Sequence, residues 1–372
     1  MTIQNAETAL AKLCRRKYVL MTGNATTSLY LSLKSLDLPF KSKVMIPNSS
    51  CPHVPLSVYL AGHEPFFIDI DKRNFGLDLD CVKKFYTKNI KAIIAVHAYG
   101  KLCQIKKIFN FCKKKNIPLI EDSALSLGLE TNKKTSVSSA LVSVLSFGKG
   151  KVLDLGGGGA LLTDNKSLYL KAQILIKNLN DKKKLNSTII KKTNKNHTQI
   201  YNKFFINNKS NLIKNLYKKQ AIKNANYFLY KFENKYLKKL DLKKKNIKNI
   251  IQDRYKKIKY ISKKLNLIKN NFFRLSKIEK NEVPWRFNIF FYKEKHRNQV
   301  LKILLKKRIK VSSWHPSLDI FFKNRKKGDF YPISDKLSKT ILNIWINHEA
   351  SKSYLDKIYK NLLYVKKKIN LT

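Results

Sequence analysis

The segment SFGKGKVLDLGGGGAL (146–161) sets two lysines, Lys149 and Lys151, between the end of an apolar run and four successive glycines. A lysine at a strand end, drawn out of water, gives up its proton more readily and can form an imine with an aldehyde. The same residues also suit a glycine-rich hairpin whose lysines are merely solvated. No GxxxxGK[ST] pattern occurs, so a phosphate-loop NTPase fits less well. A second segment, IPLIEDSALSLG (117–128), reads as a strand ending in two carboxylates, Glu121 and Asp122. Successive strand side chains project to opposite faces, so these two point apart. One of them can keep a ring nitrogen protonated; metal binding is the competing chemistry, but no histidine or further acid stands at ligand spacing. A third segment, TGNATTSLYLSLKSL (22–36), puts Gly, Asn and Thr ahead of an amphipathic helix whose first N–H groups suit a phosphate, with Thr26 and Thr27 adding hydroxyls. An ordinary helix cap explains those residues equally well.

These segments need a frame, and from residue 1 to about 165 the chain alternates short apolar strands with amphipathic helices, the pattern of a mostly parallel sheet covered on both faces. Strands are expected at 43–47, 65–69, 92–97, 117–122, 141–147 and 159–163, and helices near Thr26–Ser35, Val54–Ala61, Leu79–Tyr86 and Ile105–Lys115. The stretch from about 166 to 270 is rich in Lys and Asn and has apolar residues at helical spacing, as in YFLYKFENKYLKKL and RYKKIKYISKKL; a mobile loop is expected near 180–200. Further on, RFNIFFY reads as a strand, VLKILLKKRI as a helix and SYLDKIYKNLLYV as a closing helix. The expected division is a large α/β domain over 1–240 and a smaller C-terminal α+β domain over 241–372. No internal repeat is found.

The 372 residues are 43% hydrophobic, enough for a large core, and no apolar run approaches the roughly 20 residues of a membrane helix. MTIQNAETAL is no apolar signal core, so no membrane insertion is expected and the cytoplasm is the expected compartment. Cys14, Cys51, Cys81, Cys103 and Cys112 form no CxxC pair and no zinc spacing, and read as reduced, mostly buried thiols. The formal charge of +53 invites a nucleic-acid reading. The excess is nearly all Lys, travels with Asn and Ile, and spreads along the chain, which codon drift in an AT-rich genome explains. Arg-rich or aromatic-interleaved nucleic-acid motifs are absent, so no specific nucleic acid is expected.

Taken in order, the three segments resemble the DegT/DnrJ/StrS family of PLP-dependent nucleotide-sugar aminotransferases. AETALAKLCRRKYVLMTGNATTSLYLSL looks like the family's opening helix and phosphate turn, VMIPNSSCPHVPLSVYLAGHEPFFIDID like its next strand–helix–strand, AIIAVHAYG like its VHxYG strand, and EDSALSLG and SFGKGK like its pyridinium and Schiff-base segments. The likeness is good from residue 5 to about 165 and thinner beyond, where QDRYKKIKYISKKL, VPWRFNIFFY and the WHPSL turn resemble pieces of the family's second half. It implies a fold-type-I PLP enzyme, with pyridoxal 5'-phosphate as cofactor, moving an amino group, glutamate being the expected donor, to a nucleotide-linked keto-sugar, and a homodimer. By resemblance Lys151 is the Schiff-base lysine and proton shuttle, Asp122 the partner of the pyridinium nitrogen, and Thr26, Thr27 and Ser146 the phosphate ligands. Four positions depart from the pattern: Ala25 stands where the phosphate turn has Gly, Leu125 where a Gln contacts the ring, Gly157 where a Glu precedes the last two glycines, and Cys51 where an aromatic stacks, with His53 nearby. Keeping Lys151 argues against the dehydratase offshoot, in which a His replaces it. His97 and His315 are further substrate-site candidates; a core histidine competes for the first and an exposed turn for the second. The departures leave open a member that has lost transamination and acts as a binding or regulatory protein.

Overall fold

The computed structural model describes residues 1–128, 130–131, 134–135, 140–182, 185, 223–224, 227–268, 271–279, 282–322 and 325–370. From residue 183 on, the loop expected near 180–200 lies outside them, apart from residue 185.

The larger sheet is built from β1 (Tyr18–Thr22), β2 (Lys43–Pro47), β3 (Glu64–Ile68), β4 (Ile90–Val96), β5 (Leu119–Asp122), β8 (Val142–Ser146) and β9 (Gly159–Thr163), in the order β1-β9-β8-β5-β4-β2-β3. A two-residue hairpin, β6 (Glu130–Thr131) with β7 (Lys134–Thr135), lies outside it. Neighbours from β3 to β8 pair parallel, and β9 runs antiparallel to both β8 and β1. The sheet is mostly parallel, as the alternating pattern implies. Strands 43–47 and 159–163 match expectation to the residue, whereas 117–122 shortens to start at Leu119, because Pro118 has no N–H to give the ladder. β1 was not anticipated. YVLMT carries no alternation to mark it as a strand, since four of its five residues are buried.

Helices α1 (Ile3–Cys14), α2 (Ala25–Lys34), α3 (His53–Leu60), α4 (Leu79–Phe85), α5 (Ile105–Lys115) and α6 (Lys166–Lys177) cover the faces of this sheet. The hydrophobic core splits accordingly: Leu29, Leu33 and Val54 pack on one face with Ile46, Ile94 and Val144, while Ile108 and Cys112 of α5 pack on the other with Met45 and Ile93. Alternation along the strands separates these sets.

The second half departs more from expectation. YFLYKF (227–232), expected as helix, instead forms isolated bridges at Tyr230 and Lys231, with the Gly23 N–H donating to the Tyr230 carbonyl at 2.9 Å. Tertiary pairing overrides the helical spacing there, and the helix begins only at α7 (Leu237–Lys244). α8 (Ile247–Asn266) follows, with Ile247 in the cluster around Phe147 and Leu155 and with Ile258, Ile261 and Leu265 in the cluster of the second sheet. That sheet has four strands in the order β10 (Phe273–Leu275), β11 (Phe287–Phe291), β13 (Ile341–Ile344) and β12 (Val311–Ser312), all antiparallel. α9 (Glu294–Lys306) and α12 (Lys352–Asn370) pack with it, and α10 (Asp319–Phe322) and α11 (Pro332–Thr340) lie between β12 and β13. The helix expected at 300–309 starts earlier and stops at Lys306, with Arg308 in the left-handed region at φ 55. The closing helix and the 287–291 strand are where RFNIFFY and SYLDKIYKNLLYV put them. Among the described residues no helix is long and apolar enough to cross a membrane.

Candidate active site

A cavity of about 350 Å³ opens where the carboxyl ends of β5 and β8 meet the N-terminus of α2 and the loop after β2. Such strand ends are where open α/β sheets place ligands. Thr26, Cys51, His53, Asp122, Ser146 and Lys151 line it together, brought from four separate stretches of chain.

Local chemistry explains each placement. Asn24 caps α2, its Oδ1 accepting the Thr27 N–H at 2.8 Å, so the helix begins at Ala25 and aims its first N–H groups at the cavity rim. Thr26 Oγ1 lies 2.9 Å from His53 Nδ1 at the head of α3. Thr27 turns the other way: its hydroxyl bonds the Asn24 side chain and the Phe228 carbonyl, and takes the Tyr230 N–H. It holds the 228–230 segment against the helix and is not among the described cavity-lining residues.

Period-two alternation separates the two carboxylates. Asp122 faces the cavity and accepts the Ala124 N–H at 2.9 Å, while Glu121 is fully buried on the opposite face between His97 Nε2 at 2.7 Å and Ser143 Oγ at 2.9 Å. The Cys103 N–H points at His97 Nδ1, which must therefore accept, so the ring proton sits on Nε2 and is donated to Glu121. His97 is thus held in the core and does not line the cavity. Leu125 likewise packs away, in a cluster with Tyr99 and Trp285.

Lys151 stands across from Asp122, its Nζ 5.7 Å from the centre of the Trp285 ring. Burial pushes its amine below the ordinary lysine range; Cys51 and Asp122 pull it back up, and Arg286 and Arg254 press it down further. Burial also raises the Asp122 carboxyl, against the Ala124 N–H and the Lys151 charge, and raises the Cys51 thiol. Lys149, two residues from Lys151, is solvent-exposed and pairs with Glu349 at 2.9 Å, which raises its pKa.

His315 is not on an exposed turn. It is buried, stacked on Trp285 at 5.8 Å and 8°, with its backbone N–H donating to Tyr99 Oη at 2.8 Å. Burial lowers its pKa to about 3, helped by the Lys151 and Arg286 charges, so the ring is neutral in the folded protein. An unfolded histidine takes up its proton near pH 6.5 and the folded one does not until pH about 3, so stability is lost as pH falls through that window. We expect His315→Gln to flatten this dependence, recovering up to about 1.4 kcal/mol per pH unit. Urea melts of both proteins at neutral and acid pH check it; parallel slopes would refute the assignment.

Sequence reasoning missed Lys182, Tyr227 and Tyr230, which complete the cavity wall, with Lys182 Nζ 5.0 Å from the Tyr230 ring centre and paired to Glu233 at 3.3 Å. Nothing in a Lys/Asn-rich stretch singles them out; pairing of the 228–231 segment with Thr22, Gly23, Thr27 and Asn180 brings them here. Among the described residues no group of three acids, histidines or cysteines could hold a metal. The donors suit instead an aldehyde cofactor with a phosphate and a basic ring: one amine with a depressed pKa, one carboxylate opposite, hydroxyls beside a helix N-terminus, and a second cation.

The family model described as the DegT/DnrJ/EryC1/StrS aminotransferase family matches residues 1–363. The chain is 31% identical over 169 residues to GDP-perosamine synthase of Caulobacter vibrioides, covering 45% of this chain and 46% of that protein. It is 31% identical over 167 residues to UDP-2-acetamido-2-deoxy-3-oxo-D-glucuronate aminotransferase of Pseudomonas aeruginosa, covering 45% and 46%. The match thus spans about half the length of these curated relatives. Among solved structures, Helicobacter pylori PseC, an aminotransferase involved in the biosynthesis of pseudoaminic acid, superposes with a TM-score of 0.75 at 16% identity, over 98% of this chain and 91% of that one. NtdA from Bacillus subtilis, with bound cofactor PMP, gives 0.71 at 18% identity, over 98% and 77%. These likenesses show the fold.

Proposed function

The chain belongs to the DegT/DnrJ/EryC1/StrS aminotransferase family, and from that premise we propose that it is a PLP-dependent aminotransferase transferring an amino group, with glutamate as donor, to a nucleotide-linked keto-sugar. The observation that carries this reading is the convergence of Lys151, Asp122, Thr26 and Ser146 on one cavity. We assign Lys151 to hold the cofactor's aldehyde carbon, Asp122 its ring nitrogen, and Thr26, Ser146 and the N-terminus of α2 its phosphate. When bound, PLP supplies an electron sink for cleavage of the donor's C–H bond.

The chain's own residues do the rest. Burial holds the Lys151 amine below the ordinary lysine range, which makes it easier to deprotonate and suits it to take a proton from carbon and return it. The Asp122 carboxylate favours the protonated ring nitrogen. His53 orients the Thr26 hydroxyl through their 2.9 Å contact. Tyr227, Phe228 and Tyr230 form an aromatic wall of the cavity, and Lys182, paired to Glu233, lies beside them.

Gly159 sets the α2 turn. A Cβ there would lie 2.6 Å from the Asn24 carbonyl carbon and 2.7 Å from the Ala25 nitrogen, both backbone atoms. We expect Gly159→Ala to displace the phosphate-facing turn and weaken PLP binding about tenfold, the effect of roughly 1.4 kcal/mol of overpacking. Fluorescence titration with PLP measures this; unchanged affinity would place the phosphate elsewhere.

The experiment that tests the function is a screen of nucleotide keto-sugars against PLP-loaded protein, following cofactor absorption. Turnover with a keto-sugar supports the reading; PLP binding without turnover on any of them favours a member that has lost transamination. A homodimer and a cytoplasmic location remain part of the proposal; sedimentation tests the first.

A further inference from the structure

The loop that presents Lys151 is gripped from both sides by buried charges. Asp154 takes the Gly150 N–H on one carboxylate oxygen at 2.7 Å and the Gly156 N–H on the other at 2.9 Å. Arg254, in the middle of α8, donates from Nη2 to the carbonyls of Gly150 at 3.0 Å and Lys151 at 2.8 Å, and from Nη1 to the carbonyl of Pro284 at 2.9 Å. Both side chains are buried, with 2% of Arg254 and 9% of Asp154 exposed. Gly150 and Gly156 adopt φ +82 and +87, which glycine takes without strain, so the loop's shape depends on these two residues as well as on the bonds that hold it.

The third carbonyl matters most. Pro284 immediately precedes Trp285, the ring under Lys151 Nζ and the stacking partner of His315. One guanidinium therefore fixes the backbone of the lysine to the backbone of the ring beneath its amine. A planar fork can span carbonyls on two segments, whereas an ammonium is a point donor. The helix bearing it has one end in the cluster around Phe147 and the other in that of the second sheet. Arg254 thus ties the Lys151 loop to a helix that spans both clusters.

We propose that Arg254, opposed by Asp154, is a positioning residue for Lys151, setting where its amine enters the cavity and how dry its surroundings are. The proposal rests on Lys151 being the cofactor-bearing lysine. Arg16 supplies the matched comparison: it too is buried and donates to three carbonyls, those of Ala140, Leu141 and Leu162, but at the opposite end of β8 and β9 from the cavity.

The test compares Arg254→Lys, Asp154→Asn and Arg16→Lys. Lys151 is titrated in the cofactor-free proteins by competitive labelling with acetic anhydride across pH, read on its peptide by mass spectrometry, and PLP affinity is measured by fluorescence. Arg254→Lys and Asp154→Asn should each move the Lys151 titration up by about half a unit or more, toward the ordinary lysine range, and weaken PLP about tenfold. Arg16→Lys should lower the melting temperature comparably and leave both readouts where they were. The proposal falls if the two loop variants behave like Arg16→Lys, losing stability without moving the Lys151 titration. Should Arg254→Lys not fold, Asp154→Asn decides alone. Should the wild type bind no PLP at Lys151, the functional reading fails, and the titration shift still decides whether Arg254 positions the lysine.

Discussion

Lys151→Ala should fold, and should lose the half-reaction with glutamate by about four orders of magnitude, the upper range for a group that moves a proton in the rate-limiting step. Folding should survive because the loop is held by its backbone, through Asp154 and Arg254, and not by the lysine side chain. Lys149→Ala should stay within about twofold, well under the 1.4 kcal/mol that makes a factor of ten. Its amine is exposed and kept protonated by Glu349, so it is a poor nucleophile in the wrong place. Borohydride reduction of the PLP-loaded wild type adds a direct chemical reading. A pyridoxyl group on the Lys151 peptide is expected, and one on Lys149 would overturn the assignment.

The second large effect separates the two adjacent acids. Asp122→Asn should still load PLP but slow the half-reaction about 100-fold, as when two units of ring-nitrogen pKa are lost at about 1.4 kcal/mol each. Glu121→Gln should do the reverse. Its carboxylate accepts from both His97 and Ser143 in a fully buried site, and an amide there turns one acceptor into a donor facing a donor. A cost of roughly 1–3 kcal/mol in stability is expected, with the half-reaction rate per folded molecule unchanged. Melting curves and single-turnover absorption on both variants measure this. Normal turnover in Asp122→Asn beside a dead but folded Glu121→Gln would mean the roles are exchanged.

What could be read from the sequence follows from how local each signal is. The opposite facing of Glu121 and Asp122 was legible because strand alternation is a property of neighbouring residues. The Lys151 loop was legible because glycines and a strand end announce it within a dozen positions. Thr27 reads the same as Thr26 in sequence, and only Phe228 and Tyr230, some 200 residues on, draw its hydroxyl away. The environment of His315 depends on Tyr99 and Trp285 in the same way. β1 stayed hidden because its partner β9 is the strand that runs against the rest, and burial on both faces erased its alternation. Arg254 was invisible for a simpler reason: one cation in a lysine-crowded helix has no local mark of being inside.

The grip of a guanidinium on several carbonyls casts the chain's composition in another light. Only nine of its 77 basic residues are arginine, and four of those nine do more than supply charge. Arg16 and Arg254 each serve three carbonyls; Arg286 lies between the Trp285 and Trp345 rings at 4.0 and 4.2 Å; Arg325 bonds Asp319 and Asp335 together. Each of these tasks uses a flat, many-toothed cation that lysine cannot imitate. In a protein whose surface treats positive charge as interchangeable, the identity of the cation becomes informative: at these four positions shape, and not charge alone, is what the fold requires.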